Sequence, residues 1–64
     1  MSKLKQIREA AGMTQSELAK ATGISVRVIQ NWEQGTRPLN GARAITVYQL
    51  SQALKCTVED LLDI

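Results

Sequence analysis

The first eleven residues are mostly polar, with an apolar side chain at every third or fourth position. The apolar residues are Leu4, Ile7, Ala10 and Ala11. This spacing gathers them on one face of an α-helix. Ser2 can cap the start of such a helix and Gly12 can end it. The pattern therefore predicts a first helix over residues 3–11.

A second helix is predicted immediately afterwards. Thr14 and Glu17 have the spacing of a capping box, in which each side chain accepts a hydrogen bond from the backbone of the other residue. The helix begins after Thr14 and runs to Gly23, which can take a positive φ without steric cost.

The third helix is predicted over residues 26–34, with Ser25 as its cap and Gly35 as its end. Ile29 and Trp32 fall on one face of this helix, and its polar residues fall largely on the others. A helix with one apolar face is expected to pack on a core and to expose the opposite side.

Residues 36–39 form the one clear loop, because Pro38 lacks a backbone donor and disfavours helix at the residue before it. Asn40 is predicted to cap a fourth helix that runs to about Leu54. Its apolar positions recur at helical spacing, at Ala44, Val47, Tyr48, Leu50, Ala53 and Leu54.

Thr57 and Asp60 resemble another capping signature, which opens a short fifth helix. No strand, repeat or low-complexity segment is evident, so the predicted fold class is all-α. The aromatic residues Trp32 and Tyr48 lie on apolar stripes and are expected in the core or at its edge. The apolar residues of the fifth helix are Val58, Leu61 and Leu62.

The composition narrows the possible functions. A chain of 64 residues, 44% of them apolar, is expected to form one small folded domain over residues 1–64. Histidine is absent and Cys56 is the only cysteine, which argues against zinc-finger sites, Ser/His or Cys/His catalysis and an internal disulfide. Cys56 is expected to pack as a small apolar residue. With neither a signal peptide nor a membrane span in the pattern, a cytoplasmic location is expected.

Charge is distributed unevenly along the chain. The formal net charge is +2, but half of the six acidic residues, Glu59, Asp60 and Asp63, occur in the last six positions. Residues 1–58 therefore carry eight basic and three acidic residues, a net charge of +5. This surplus suggests an anionic partner, whereas the terminal acids are expected to form a solvated face.

The segment that begins at Gln15 has the spacing of a helix-turn-helix, in which two helices are joined by a very short turn. Ala19 is small enough to let the second of these helices approach closely, and Gly23 permits the tight turn. A random chain rarely satisfies every position of this register. The remaining apolar positions are Leu18, Ile24, Ile29 and Trp32, of which the last three fill the angle between the helices.

Three stretches, 13–19, 23–25 and 29–35, together resemble the phage-repressor and Cro-like (XRE-type) helix-turn-helix domains. The likeness extends from Arg8 to Leu62 and so covers nearly the whole chain. It implies a compact five-helix, λ-repressor-like DNA-binding domain whose second and third helices form the helix-turn-helix.

The chain departs from this family pattern at two places. The stretch from Gly35 to Val47 is a few residues longer than in the compact phage repressors, which affects the start of the fourth helix. Lys55 stands where the family usually has a glycine before the fifth helix. A left-handed conformation at Lys55 would cost about 1 kcal/mol relative to glycine.

In the family geometry the third helix lies in the major groove, and its first residues reach base edges. The resemblance assigns this role to Ser25, Val26, Arg27 and Asn31. Arg27 could pair with guanine, Asn31 with adenine and Val26 with a thymine methyl group. Alternatively, Arg27 and Asn31 only solvate the outer face of the helix, and Val26 packs against the turn.

The resemblance also implies contacts to DNA phosphates. Gln15, at the start of the second helix, is expected to contact a phosphate, although it could simply be exposed to solvent. Arg8 is instead expected to form a partly buried structural ion pair with Glu33, which fixes the angle between their helices. Gln34, Arg37 and Arg43 are further candidate phosphate contacts, with a plain surface role equally open for Arg43.

These observations favour a non-enzymatic, cofactor-free repressor that binds double-stranded DNA as a homodimer on an inverted repeat. The alternative is an antitoxin that binds a partner toxin and regulates its own operon. The fifth helix, with Leu62 and Ile64, is the expected surface for self-association. Nothing in the sequence supports an enzyme or a membrane protein.

Overall fold

The fold is described from a computed structural model, over residues 2–62. Within this range the chain forms five α-helices and one short 3-10 turn, and it contains no strand. The helices are α1 (Lys3–Ala10), α2 (Gln15–Thr22), α3 (Val26–Gln34), α4 (Ala44–Leu54) and α5 (Val58–Leu61), and the 3-10 turn is Leu39–Gly41. The predicted all-α fold class is confirmed.

The predicted side-chain caps form at four helix starts. Thr14 and Glu17 complete the capping box of α2, with donor–acceptor distances of 2.8 and 3.1 Å. Thr57 and Asp60 form the same arrangement at α5. Single hydroxyl caps come from Ser2 at α1 and Ser25 at α3. Each cap satisfies a backbone N–H that has no partner within its own helix.

The ends of α2 and α3 are set by glycine. Gly23 and Gly35 have φ values of 75° and 83°, in the left-handed region that glycine enters without strain. Lys55 ends α4 in the same region, with φ 55° and ψ 47°. It is the only residue other than glycine that has a positive φ between residues 2 and 62. Lys55 thus adopts the left-handed conformation whose cost was considered from the sequence.

The core lies where all five helices meet. Leu18 and Leu50 are fully buried at its centre, and α2 packs there against both α3 and α4. Trp32 is 8% exposed, in agreement with its predicted core position. Cys56 is half-buried against the core, as predicted. The other buried apolar residues are Leu4, Ile29, Leu39, Val47, Leu54 and Leu61.

The predicted start of α4 is wrong. Asn40 does not cap this helix, because it lies inside the 3-10 turn, whose first residue, Leu39, is buried in the core. Ala42 then has an extended backbone, and Arg43 takes the cap position of α4 without a side-chain cap bond. The tertiary burial of Leu39 thus delays the helix.

The predicted core position of Tyr48 is also wrong, since this side chain is 52% exposed. The buried face of α4 carries Ser51 in place of Tyr48. Ser51 is only 2% exposed and satisfies its hydroxyl by donating to the Tyr48 carbonyl oxygen at 2.6 Å. The rest of this face is Val47, Leu50 and Leu54.

Candidate nucleic-acid interface

The turn between α2 and α3 brings these helices together within three residues. The Gly23 N–H donates to the Ala19 carbonyl oxygen at 2.8 Å, which closes α2. Thr22 steadies the turn, because its hydroxyl donates to Leu18 and accepts the N–H of Ile24. Ile24 packs on the core from the turn itself. The geometry is that of a helix-turn-helix.

The outer side of α3 contains the predicted base-contacting residues. Ser25 and Arg27 are exposed, and the Ser25 hydroxyl accepts the Arg27 N–H at 3.2 Å. Val26 is half-buried beside the turn, where it lines a shallow surface depression with Ile24. The Arg27 side chain makes no hydrogen bond or ion pair with residues 2–62, so its guanidinium is available to a ligand.

Asn31 is engaged with the loop after α3. Its side-chain oxygen lies 3.2 Å from the Thr36 hydroxyl, and its carbonyl oxygen accepts backbone N–H groups from Gly35, Thr36 and Arg37. Asn31 is half-buried and therefore links the end of α3 to the loop that contains Arg37. Its side-chain N–H groups have no hydrogen-bond partner within residues 2–62.

A buried ion pair joins α1 to α3, as predicted. Arg8 Nε and Nη2 donate to the two carboxylate oxygens of Glu33 at 2.7 and 3.0 Å. The side chains are 10% and 3% exposed, respectively. Arg8 Nη1 also donates to the Met13 carbonyl oxygen at 2.8 Å, which ties the pair to the segment before α2. The paired geometry of guanidinium and carboxylate makes this a strong, directional contact.

The protonation states of this pair are held by their contacts. The hydrogen bond to Glu33, reinforced by the charge of Glu33, raises the pKa of Arg8. Burial by itself would raise the pKa of Glu33, but hydrogen bonds from Arg8 and Gln15 together with the positive charge of Arg8 lower it below its ordinary value. Both groups are thus charged at neutral pH.

Gln15 extends this pair into a polar network. Gln15 Nε2 donates to Glu33 Oε1 at 3.0 Å, and Gln15 Oε1 accepts from Gln30 Nε2 at 3.4 Å. Gln15 is therefore half-buried and bonded within the protein, not a freely exposed first-turn residue. Sequence reasoning missed the roles of Gln30 and of Glu33 toward Gln15. The available signal was Gln30 one turn before Glu33, on the side of α3 that faces α2.

Two arginines stand on either side of the 3-10 turn. Arg37 and Arg43 are exposed, and neither forms an ion pair with a residue in 2–62. They border an open cavity of about 580 Å³ between α3 and the start of α4, and no lining residue of this cavity is acidic. Gln34 is exposed at the end of α3 nearby. The surface next to α3 is thus positively charged.

Residues 2–62 contain no group of three or more potential metal-ligating His, Cys, Asp or Glu side chains. None of the helices between these residues has the length and apolar character needed to cross a bilayer.

The tight α2–α3 unit and the exposed outer side of α3 define a helix-turn-helix domain. A family model described as helix-turn-helix matches residues 4–61. The chain belongs to this family, which is the XRE-type class of phage-repressor and Cro-like domains. The family is one of DNA-binding regulatory domains. Comparison with curated proteins and with solved structures gave no match.

Proposed function

We propose that residues 1–64 act as a single helix-turn-helix domain that represses transcription in the cytoplasm. The domain inserts α3 into the major groove of double-stranded DNA and binds an inverted repeat as a homodimer. It needs no cofactor and catalyses no reaction.

The exposed Arg27 in the first turn of α3 is the observation that carries this proposal. A guanidinium can donate two parallel hydrogen bonds to the O6 and N7 atoms of guanine. Ser25 and Val26 lie beside it at the start of α3, where a hydroxyl and a methyl-bearing side chain can meet base edges. Asn31 lies one turn further on. Its side chain can form two hydrogen bonds with adenine when its N–H groups and its oxygen both face the base.

The phosphate contacts surround this helix on two sides. Gln15 lies at the start of α2, where backbone N–H groups and the helix dipole favour an anion. Gln34 is the last residue of α3, and Arg37 and Arg43 follow in the connection to α4. The two arginines supply positive charge that neutralises phosphates, and the neutral Gln34 amide can donate a hydrogen bond to one. These contacts fix the position of α3 without reading the sequence.

Self-association is proposed through the C-terminal end of the domain. Leu62 is half-buried there, and its carbonyl oxygen accepts a hydrogen bond from Lys3 Nζ at 2.9 Å. Ile64, which completes the predicted surface, and the acidic Asp63 lie outside the described residues. A two-fold dimer would place two copies of α3 on successive major-groove faces.

The antitoxin function remains the second candidate because of an exposed apolar pair on α4. Ile45 and Tyr48, both on α4, are 59% and 52% exposed. A partner chain that covers them would leave α3 available to DNA. Co-purification of a small partner encoded beside the domain, lost in a Tyr48→Gln variant, would favour this candidate.

The test is selection of bound sequences from a random duplex pool, followed by binding of every single-base variant of the selected site. Arg27→Ala should weaken the site by about 1–3 kcal/mol and relax preference at one base pair per half-site. Gln15→Ala should weaken all sequences by a similar factor. Lys55→Ala removes one positive charge at the end of α4, outside the proposed DNA contacts, and serves as the control.

Salt dependence provides the second measurement. The affinity of the parent domain should fall steeply with salt, and Arg37→Ala should reduce the log–log slope by about 1. Absence of selective binding to any duplex would contradict the proposed function. An unchanged preference profile in Arg27→Ala would contradict the base contact.

A further inference from the structure

The Gln15 side chain is held from both ends before any ligand arrives. Its Nε2 donates to Glu33 and its Oε1 accepts from Gln30. Glu33 is ionised because its pKa is lowered, and a carboxylate can only accept hydrogen bonds. Gln15 therefore has to turn its amide nitrogen toward Glu33. Its amide oxygen then faces Gln30.

One donor of the Gln15 amide is left over by this arrangement. A glutamine amide has two N–H donors, and the Glu33 bond uses one of them. The backbone N–H groups of Gln15 and Ser16 likewise have no partner within residues 2–62, whereas those of Glu17 and Leu18 bond to Thr14. Three donors at the start of α2 are thus available to a phosphate oxygen.

Arg8 balances the negative charge of Glu33, which lies next to these donors. Glu33 Oε1 lies only 3.0 Å from Gln15 Nε2, so an isolated carboxylate there would repel a phosphate. Arg8 cancels this charge through its two bonds to the same carboxylate. Glu33 can therefore orient the neutral amide of Gln15 without repelling an anion that binds at the start of α2.

Gln30 completes the arrangement from α3. It is half-buried one turn before Glu33, and its Nε2 lies 3.4 Å from Gln15 Oε1. This bond is long, so it contributes little to folding. It restricts rotation of the Gln15 amide about the Glu33 bond, which lowers the ordering cost when a phosphate binds.

We propose that Gln30 is a positioning residue for the phosphate contact of Gln15. It holds the Gln15 amide in the orientation that Glu33 selects, and it couples the placement of α3 to the phosphate at α2 without contacting a base. The inference rests on the proposed function, and it adds a role for a residue on α3 that does not read sequence.

The test compares Gln30→Ala, Gln15→Ala and the double variant on the selected duplex and its single-base variants. Gln30→Ala should weaken every sequence by the same factor, about three- to tenfold, with an unchanged preference profile. The double variant should bind no more weakly than Gln15→Ala alone, because the two residues act through one contact. Gln52→Ala, an exposed glutamine on α4, is the matched control.

A charge-bearing variant sharpens the test. Gln30→Glu replaces a donor with an acceptor, so it should draw Gln15 Nε2 away from Glu33 and weaken binding more than Gln30→Ala does. Urea unfolding of both Gln30 variants should stay close to that of the parent, which excludes a loss of fold as the cause. Equal effects of Gln30→Ala and Gln30→Glu would count against the inference.

The outcomes separate this inference from the proposed function. A change of preference at one base pair in Gln30→Ala would make Gln30 a base contact and overturn the inference alone. Multiplicative losses in the double variant would show two independent contacts and would also overturn it alone. A parent domain that binds no duplex selectively would overturn the proposed function and the inference together.

Discussion

Arg8 and Glu33 are separated by 25 positions in sequence, and their side chains meet in two hydrogen bonds beneath the start of α2. Each side chain is at most 10% exposed. Because Gln15 bonds to the same carboxylate, one acidic group holds residues from α1, α2 and α3 together. The orientation of the helix-turn-helix relative to α1 thus depends on a pair that is separate from the side chains proposed to contact DNA.

Loss of one member of this pair should be costly. Arg8→Met and Glu33→Met each leave a buried charge without its partner, so each should lower the free energy of unfolding by about 3–5 kcal/mol. The double variant should lose less than the sum of the single losses. Urea unfolding measures all three.

The total stability of a domain of this size is roughly 3–10 kcal/mol, so a single variant could be unfolded in water. The cycle is therefore measured in a Lys55→Gly background, which is expected to be more stable. Additive losses would show that the two side chains do not interact.

Low pH should reduce the stability of the domain, because it protonates Glu33. The folded pKa of this carboxyl is lower than its ordinary value, so the stabilisation that it provides is complete above the unfolded pKa of about 4.3 and is lost as the pH falls through the folded pKa. The hydrogen bonds from Thr57 lower the pKa of Asp60 in the same direction. Asp60→Asn, which keeps an oxygen at the cap, removes this second contribution.

The measurement is the free energy of unfolding between pH 7 and pH 3, a range chosen to bracket the ordinary carboxyl pKa of about 4.3. The free energy of unfolding of the Asp60→Asn domain should fall steeply toward low pH. It should fall less steeply in a variant that also carries Arg8→Met and Glu33→Met, because that variant lacks the Glu33 carboxyl. Equal slopes in the two proteins would contradict the assigned pKa of Glu33.

Lys55→Gly should stabilise the fold. Lys55 has φ 55°, a conformation that costs a side-chain-bearing residue about 1 kcal/mol relative to glycine. Lys20→Gly, in the interior of α2, removes the same charge from a residue with ordinary helical geometry and should instead destabilise by about 1 kcal/mol. Thermal unfolding should move in opposite directions for the two variants, and a shift in the same direction would refute this explanation.

The exposed side chains of α4 should matter little to folding. Ile45→Gln and Tyr48→Gln should each change the free energy of unfolding by no more than about 0.5 kcal/mol, since both side chains are more than half exposed. Leu50→Ala, on the buried face of the same helix, should cost about 2–5 kcal/mol. A large loss in either glutamine variant at low protein concentration would show that the side chain is covered in the free domain.

Local signals account for what could be predicted from the sequence. The capping box at Thr14 and the left-handed glycine at Gly23 involve residues close in sequence, so their spacing was sufficient to locate α2. The Arg8–Glu33 pair followed from a family resemblance, and the geometry agrees with it. The resemblance also supplied the helix-turn-helix register.

The wrong predictions concern choices that only tertiary packing decides. Asn40 has the chemistry of a helix cap, but the burial of Leu39 commits it to the 3-10 turn. Tyr48 and Ser51 lie on adjacent sides of α4, and the small serine occupies the core side because its hydroxyl can bond to the backbone. Gln30 and Glu33 are one turn apart in the sequence, but their bonds to Gln15 could be established only from the distances between the helices.

The burial of Leu39 has a consequence for changes in chain length. The connection between α3 and α4 spans residues 35–43, and anchoring near its midpoint divides it into two short tethers, each with one arginine. An insertion between Arg37 and Leu39 would lengthen the first tether and leave Arg43 at the start of α4, and an insertion between Leu39 and Arg43 would lengthen the second and leave Arg37 beside the end of α3. Each tether can therefore change in length without shifting the arginine of the other, while Leu39 keeps its place in the core.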